Sequence, residues 1–391
     1  MSHQPADPAL DRTIALLDRL VGFDTESDKS NLALIDFVED YLLGLGARFV
    51  RIPSAAGDKA ALFVTFGPDE DGGVLLSGHT DVVPVAGQQW TSPPFILRRD
   101  GDRLYGRGTC DMKGFDALCL ALAPEFLAAP LQKPVHILLS YDEETTCGGC
   151  LDSLARLGLD LPRPALAIIG EPTLMQVADA HKSVSTYRTI VTGHEAHSSK
   201  PHLGVSAVHV ACGLVGALEK IGLDIRRDVD PLGRFDPAFS TIHVGVIQGG
   251  TARNIMARHC EFHWEFRGLP GASPEAALAR FEAHCAEIAA EKFGGFANAK
   301  IETIVETIVP GLTAEMDSVA ATLALSLAQA NHTIAVPYAT EAGQFQSFGL
   351  PSVICGPGSI DQAHQPDEFI EIAQLREGVA FLRRLTRQLS A

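Results

Sequence analysis

Four short apolar runs, at residues 74 to 77, 135 to 140, 165 to 169 and 352 to 355, constrain this chain more than any other feature. Each has the length of a strand but lacks the polar alternation of a strand with one wet face, so each needs cover on both sides. Stretches of helical spacing lie among them. Residues 9 to 22 carry Leu10, Ile14, Leu17 and Val21, and residues 30 to 45 carry Leu34, Phe37, Val38, Tyr41 and Leu42. A third helix is expected over about 112 to 127, with Phe115, Leu118, Cys119, Leu122 and Phe126 on one face. Strands alternating with helices in this order predict an α/β sheet clothed on both faces.

From about residue 183 the texture changes. Strand 184 to 192, helix 204 to 221, strands 240 to 247 and 260 to 266, helix 274 to 291 and strand 300 to 307 come in the order βαββαβ, a split βαβ arrangement. Phe262, Trp264 and Phe266 alternate as a half-buried strand requires, and Ser273-Pro274-Glu275 reads as a helix cap. After Pro310 the first texture returns, with helix 313 to 330, the run at 352 to 355 and a closing helix near 373 to 390. A chain of 391 residues is too long for one ordinary core. It is therefore expected to form a discontinuous larger domain, 1–182 and 310–391, interrupted by a small α+β domain at 183–309.

Acids outnumber bases 48 to 31, and the formal charge of −17 opposes nucleic acid and anionic membranes as partners while favouring neutral or cationic small substrates. The opening MSHQPADPAL has neither a basic start nor an apolar centre, and there is no apolar stretch of membrane-spanning length, so a cytoplasmic location is expected. The eight cysteines are scattered in mostly apolar surroundings, which suits reduced thiols, and Cys147-Gly148-Gly149-Cys150 reads as structural.

The residues just beyond the apolar runs are chemically specific. The first run delivers His79 and Asp81, the second Glu143 and Glu144, the third Glu171, and the fourth leads through a loop to His364. Ligands of open α/β sheets bind beyond the carboxyl ends of the strands, so these side chains are expected to converge, with Asp111 joining from the start of a helix. Singly each has an ordinary explanation, since a buried histidine is usually hydrogen-bonded core and an aspartate often caps a helix. Together, two imidazoles and several carboxylates without a thiolate fit a catalytic zinc or related divalent site. Asp111, Glu144 and Glu171 bring three negative charges and Glu143 a fourth, so one divalent ion leaves the pocket near −2 and two bring it near zero. The adjacent Glu143 and Glu144 would face opposite ways on a regular strand, so the backbone must turn there. Spacing alone does not say which of the two is a ligand and which a base.

The segments "SGHTDVVP", "GRGTCDMKG", "DEET", "IGEPT" and "CGPGSIDQAHQPDEF" resemble the dinuclear zinc amidohydrolase and peptidase family, which includes succinyl-diaminopimelate desuccinylase, aminoacylase and carboxypeptidase of the G2 type. The resemblance runs nearly the whole length. It implies a zinc-peptidase-like three-layer catalytic domain with an inserted ferredoxin-like domain serving as lid and homodimerisation surface, and two zinc ions, with cobalt able to substitute. By motif, His79, Glu144, Glu171 and His364 would be terminal ligands and Asp111 the bridge. Asp81 would orient His79 through its other ring nitrogen. The family also assigns the paired glutamates, making Glu143 the general base that moves a proton from water to the leaving amine.

In the inserted domain, "GHEAHSSKPHLGVSA" resembles the stretch whose histidine, here His197, stabilises the oxyanion in a neighbouring subunit's site. Asn254 of "QGGTARNI" and Arg267 of "WEFRG" match substrate contacts, Arg267 by a forked grip on an α-carboxylate. "GEPTLMQVADAHKS" and "TEAGQF" are most similar to the branch of the family that deacetylates Nα-acetyl-L-ornithine for arginine synthesis, with Thr340, Glu341 and Gly343 near the substrate. There a free acid at Glu341 would suit a side-chain ammonium. The neighbouring expectation is the same chemistry on another acyl amino acid or dipeptide. A non-catalytic metal-binding scaffold is the expectation from another class, and an intact Glu143 speaks against it. No G-x-S-x-G elbow supports a serine hydrolase.

Overall fold

The computed structural model describes residues 7–391. The opening hexapeptide, on which the expected absence of a leader partly rests, lies outside these residues. Among the described residues no helix is long and apolar enough to cross a membrane.

The chain divides into two compact units: the residues up to Ala180 with Ala314–Ile334 and Thr340–Ala391, and His181–Thr313 with Ala335–Ala339. The short piece Ala335–Ala339, expected in the larger domain, thus groups with the smaller unit.

The larger unit is organised on a mixed sheet. From one edge its first six strands run in the order Arg48–Pro53, Ala60–Phe66, Val135–Ser140, Val74–His79, Leu166–Pro172 and Ser352–Gly356. The last four are mutually parallel, whereas Ala60–Phe66 pairs antiparallel with both of its neighbours. Ala60–Phe66 and the four parallel strands are buried at every position, which explains their unbroken apolar runs. Because those four point the same way, their carboxyl ends share one edge of the sheet.

One core holds sheet residues such as Leu76, Ile137 and Ile168 together with Leu17, Leu118, Phe126 and Leu382 from the surrounding helices. The helix Lys113–Ala128 packs against the sheet and also against helices Pro8–Val21 and Ile372–Leu389. It is buried all round from Lys113 to Ala123, not along the single face expected. The sequence is consistent with this, because between Gly114 and Pro124 only Asp116 is charged. At the start of the chain, Asp7 caps Pro8–Val21 by accepting from Ala9 N at 3.0 Å, and Arg383 forks onto the same carboxylate at 2.7 and 2.9 Å.

A small antiparallel sheet of Arg98–Asp100, Arg103–Tyr105 and Phe369–Glu371 goes beyond the expected elements. Three-residue strands are too short to leave a period in the sequence. This sheet aligns Leu104 with Ile370 and so brings the "GRGT" and "HQPDEF" segments together.

The smaller unit holds a four-stranded antiparallel sheet, ordered Thr241–Gly249, His259–Gly268, Ser183–Thr192 and Lys300–Val309, with helices Ala207–Ile225 and Pro274–Lys292. Chain order is βαββαβ. Phe262, Trp264 and Phe266 enter its core with Tyr187 and Phe281. Trp264 stacks on Tyr187 at 4.1 Å and its indole N–H donates to Thr189 Oγ1 at 3.0 Å, so the large ring is buried without an orphaned donor.

Candidate active site

Six side chains converge at the carboxyl edge of the parallel strands. His79 ends its own strand, Glu171 lies in the last residues of Leu166–Pro172, and Asp111 immediately precedes the helix at Lys113. Gly170 lets this happen, since a β-carbon there would meet the Phe115 ring at 2.1 Å. His364, in the left-handed region at φ 62°, is presented by a loop whose carbonyl accepts from Gln88 Nε2 at 2.8 Å.

Glu143 and Glu144 reach the site because the strand ends two residues before them. Asp142 takes φ 58°, its carboxylate pairs with Lys59, and Glu143–Thr146 forms a single helical turn. Consecutive residues on a helix diverge by about 100°, against about 180° on a strand, so both glutamates can look into one pocket. Three adjacent acids are tolerated since Asp142 has its own cation and the other two face histidines.

Asp111 lies between two imidazoles. Its Oδ1 is 3.2 Å from His79 Nε2, and its Oδ2 is 3.3 Å from His364 Nε2. Glu171 Oε1 stands 3.7 Å from His79 Nε2, while Glu144 Oε2 stands 2.9 Å from His364 Nε2. The arrangement is two half-sites, each with one imidazole and one carboxylate, sharing Asp111. Glu143 Oε2 lies 3.9 Å from His79 Nε2.

Asp81 meets the other ring nitrogen of His79, through its backbone. His79 Nδ1 donates to the backbone carbonyl of Asp81 at 2.9 Å, while the Asp81 carboxylate lies 3.6 Å from that nitrogen. A carbonyl only accepts, so Nδ1 carries a proton and Nε2 is the atom turned toward the acids. The carboxylate serves another purpose. It accepts from Glu143 N at 3.2 Å, Glu144 N at 3.3 Å and Ser27 Oγ at 2.7 Å, and so fixes the turn that carries the paired glutamates.

The electrostatics are those of a pocket short of positive charge. Burial, reinforced by neighbouring acids, pushes the Glu143 and Glu144 carboxyls up to about 8 and Glu171 well above the usual range. His364 is pushed up to about 10 by hydrogen bonds to Asp111 and Glu144. Burial works against Asp111 too, but the two histidines overcome it and hold its carboxyl low. Glu144 Oε1 and Glu171 Oε1 are buried with no hydrogen-bond partner. His79, Glu143 and Glu171, and His79, Asp111 and Glu144, form groups whose donor atoms lie within 4.8 Å of one another. Orphaned carboxylate oxygens, two imidazoles crowded by acids and a shared central carboxylate fit a site for divalent metal.

Two supports escape the sequence reading. Glu368 accepts from Cys110 N and Asp111 N through one oxygen, at 2.8 and 3.1 Å, and from Gly108 N and Arg107 Nη1 through the other, at 3.1 and 2.7 Å. The ion pair is almost fully buried, both side chains being 1% exposed. An acid inside "DEFIEI" and an arginine in "GRGT" are the available signals. The second is Cys147, expected to be structural, whose Sγ lies 3.3 Å from Glu143 Oε1.

The expected substrate contacts are placed less uniformly. Glu341 is 1% exposed, with Ser140 and Cys150 facing its carboxyl and Oε1 buried without a hydrogen-bond partner. Burial pushes it up to about 7. Thr340, also buried, accepts from Ala342 N at 3.0 Å to start the helix Ala342–Ser347, in which Gly343 is buried. In the smaller unit, exposed His197 and Asn254 lie on adjoining segments, joined by a His197–Ile255 bridge and a 3.0 Å bond from Ser198 N to Asn254 O. Arg267 already uses its fork on Glu265, with bonds of 3.0 and 3.1 Å.

Comparison with known proteins finds relatives over nearly the whole chain. Residues 75–388 match the family model of peptidase family M20/M25/M40. The chain is 36% identical to acetylornithine deacetylase of Proteus mirabilis, over 90% of this chain and 88% of that one. It is 35% identical to the enzyme of the same name from Pasteurella multocida, over 89% and 88%. Among solved structures, a tripeptidase from Staphylococcus aureus superposes with TM-score 0.75 at 20% identity, covering 97% of this chain and 98% of that one. A dinuclear metal-binding M20 peptidase from Bacillus subtilis gives 0.68 at 15%, covering 97% of each. At those identities the structural likeness speaks for the fold.

Proposed function

Because the chain belongs to peptidase family M20/M25/M40, we propose that it is a cytoplasmic metal-dependent amidohydrolase that converts Nα-acetyl-L-ornithine to L-ornithine and acetate, supplying arginine synthesis. The observation that carries this reading is the division between two neighbours. Glu144 pairs with His364 beside Asp111, while Glu143 stands apart from that pair with one oxygen directed toward His79. One carboxylate placed to hold a cation and one left to move a proton is what hydrolysis of an unactivated amide requires. The choice of the acetylated amino acid is supported by the Proteus and Pasteurella relatives.

In this reading His79 and Glu171 would hold one divalent ion and His364 and Glu144 the other, with Asp111 between them. Zinc is the ion proposed, with cobalt able to substitute. Such ions, when bound, supply positive charge that polarises the amide carbonyl and lowers the pKa of water toward about 7. Glu143 Oε2 accepts the proton of the attacking water as the new C–O bond forms, and returns it to the amide nitrogen as the C–N bond breaks. Asp81 holds Glu143 in place through the backbone. His197 of the partner subunit steadies the oxyanion, Asn254 contacts the substrate, and Arg267 grips its carboxylate once it exchanges Glu265 for it. The residues 183–309 act as lid and homodimer surface. Neither nucleic acid nor a membrane is a partner.

The test is a side-by-side assay on acetyl-ornithine, succinyl-diaminopimelate, acetyl-methionine and a dipeptide, before chelation and after zinc or cobalt is restored. At least tenfold preference in kcat/KM for the first is expected. Equal rates would overturn the substrate, chelator-insensitive hydrolysis would overturn the metal, and no hydrolysis with metal restored would favour a binding scaffold.

A further inference from the structure

We propose that Cys147 is a positioning residue for Glu143: its thiol donates to one oxygen of that carboxylate and thereby presents the other to the attacking water. The inference rests on the reading of Glu143 as the general base. Cys147 Sγ lies 3.3 Å from Glu143 Oε1 and 3.4 Å from the carbonyl oxygen of the same residue. Glu143 Oε2 points the other way, 3.9 Å from His79 Nε2. The two oxygens are thus assigned different tasks by their surroundings, one tethered and one facing the site.

Three further features agree. Cys147 occupies the left-handed region at φ 48°, a conformation that costs a side chain strain and that the adjoining Gly148 or Gly149 would adopt freely. Its own N–H donates to Glu143 O at 3.1 Å, closing the helical turn so that the thiol folds back over the glutamate. Gly149 allows that closure, because a β-carbon there would lie 1.7 Å from the Tyr141 carbonyl oxygen. Finally, the thiol keeps its proton. Burial first, then Glu143 and Glu341, hold it well above the usual thiol range, so it is a donor and not a thiolate repelling the base. A weak S–H donor at this distance fixes the rotamer of the carboxylate.

The experiment measures kcat, KM and bound metal for Cys147→Ala, Cys147→Val and Cys147→Ser in the metal-loaded full chain, with Glu143→Gln alongside. The Ala and Val variants should lose roughly five- to tenfold in kcat with KM and metal content unchanged, and Ser, which restores a donor, should stay within about twofold of the parent. Full kcat in the Ala or Val variant would overturn the proposal, as would equal losses in all three, which would point to packing of the sulfur. Undiminished turnover in Glu143→Gln would instead remove the base itself. Loss of turnover there, with Cys147→Ala unaffected, would remove only the role given to the thiol.

Discussion

Replacing Glu368 with glutamine keeps the shape of the side chain and changes its hydrogen-bonding sense. One oxygen remains to accept from Cys110 N and Asp111 N, but the other becomes an amide donor facing Gly108 N and Arg107 Nη1. Two favourable contacts become donor against donor, and the Arg107 guanidinium, 1% exposed, loses its carboxylate. Removing one partner of a buried ion pair costs about 3–5 kcal/mol. In a unit of this size each kcal/mol shifts the melting temperature by about 2–4 °C, so a fall of roughly 10 °C is expected. Unfolding of parent and variant should be followed at one fixed metal concentration, because bound metal adds its own stabilisation. The double variant with Arg107→Met, which withdraws the stranded charge, should recover part of the loss. A Glu368→Gln change below about 1 kcal/mol, or strict additivity with Arg107→Met, would refute the view that this pair braces the Asp111 backbone.

Glu143→Gln should retain its metal and lose turnover by at least about a hundredfold, read by elemental analysis beside the rate assay. Chelator-stripped protein should lose thermal stability as pH rises from about 5 to about 8. The Glu143 and Glu144 carboxyls bind protons more tightly folded, near 8, than unfolded, so the folded state is favoured below that window and penalised across it. A flat melting profile for the stripped protein would contradict this, and metal should abolish the slope. Gly149→Ala, which brings a β-carbon to 1.7 Å from Tyr141 O, should displace the Glu143–Thr146 turn and cost about 1–3 kcal/mol with a matching fall in kcat, both readable on one preparation.

The sequence makes the parallel strands legible because they are buried on both faces, and the βαββαβ unit because Phe262, Trp264 and Phe266 keep strict alternation. The proximity of His79, Asp111, Glu144, Glu171 and His364 is legible through one topological rule, that parallel strands share a carboxyl edge. Periodicity reports one face at a time, so it misses that Lys113–Ala128 is packed between layers. The sequence also does not say which atom of Asp81 meets His79, and in the structure it is the carbonyl, leaving the carboxylate to hold the turn of the paired glutamates. The burial of Glu341 and the fork between Arg267 and Glu265 depend on neighbours that composition does not name.

Arg107 and Glu368 are separated by 261 positions, yet each is the other's counter-ion. On the ribosome the loop bearing Asp111 is made long before the carboxylate that gathers its amides. Until then the nascent chain holds the acids of positions 111, 143, 144 and 171 together with His79 but without His364. A cation of the proposed centre, if captured early, would meet a site still lacking His364.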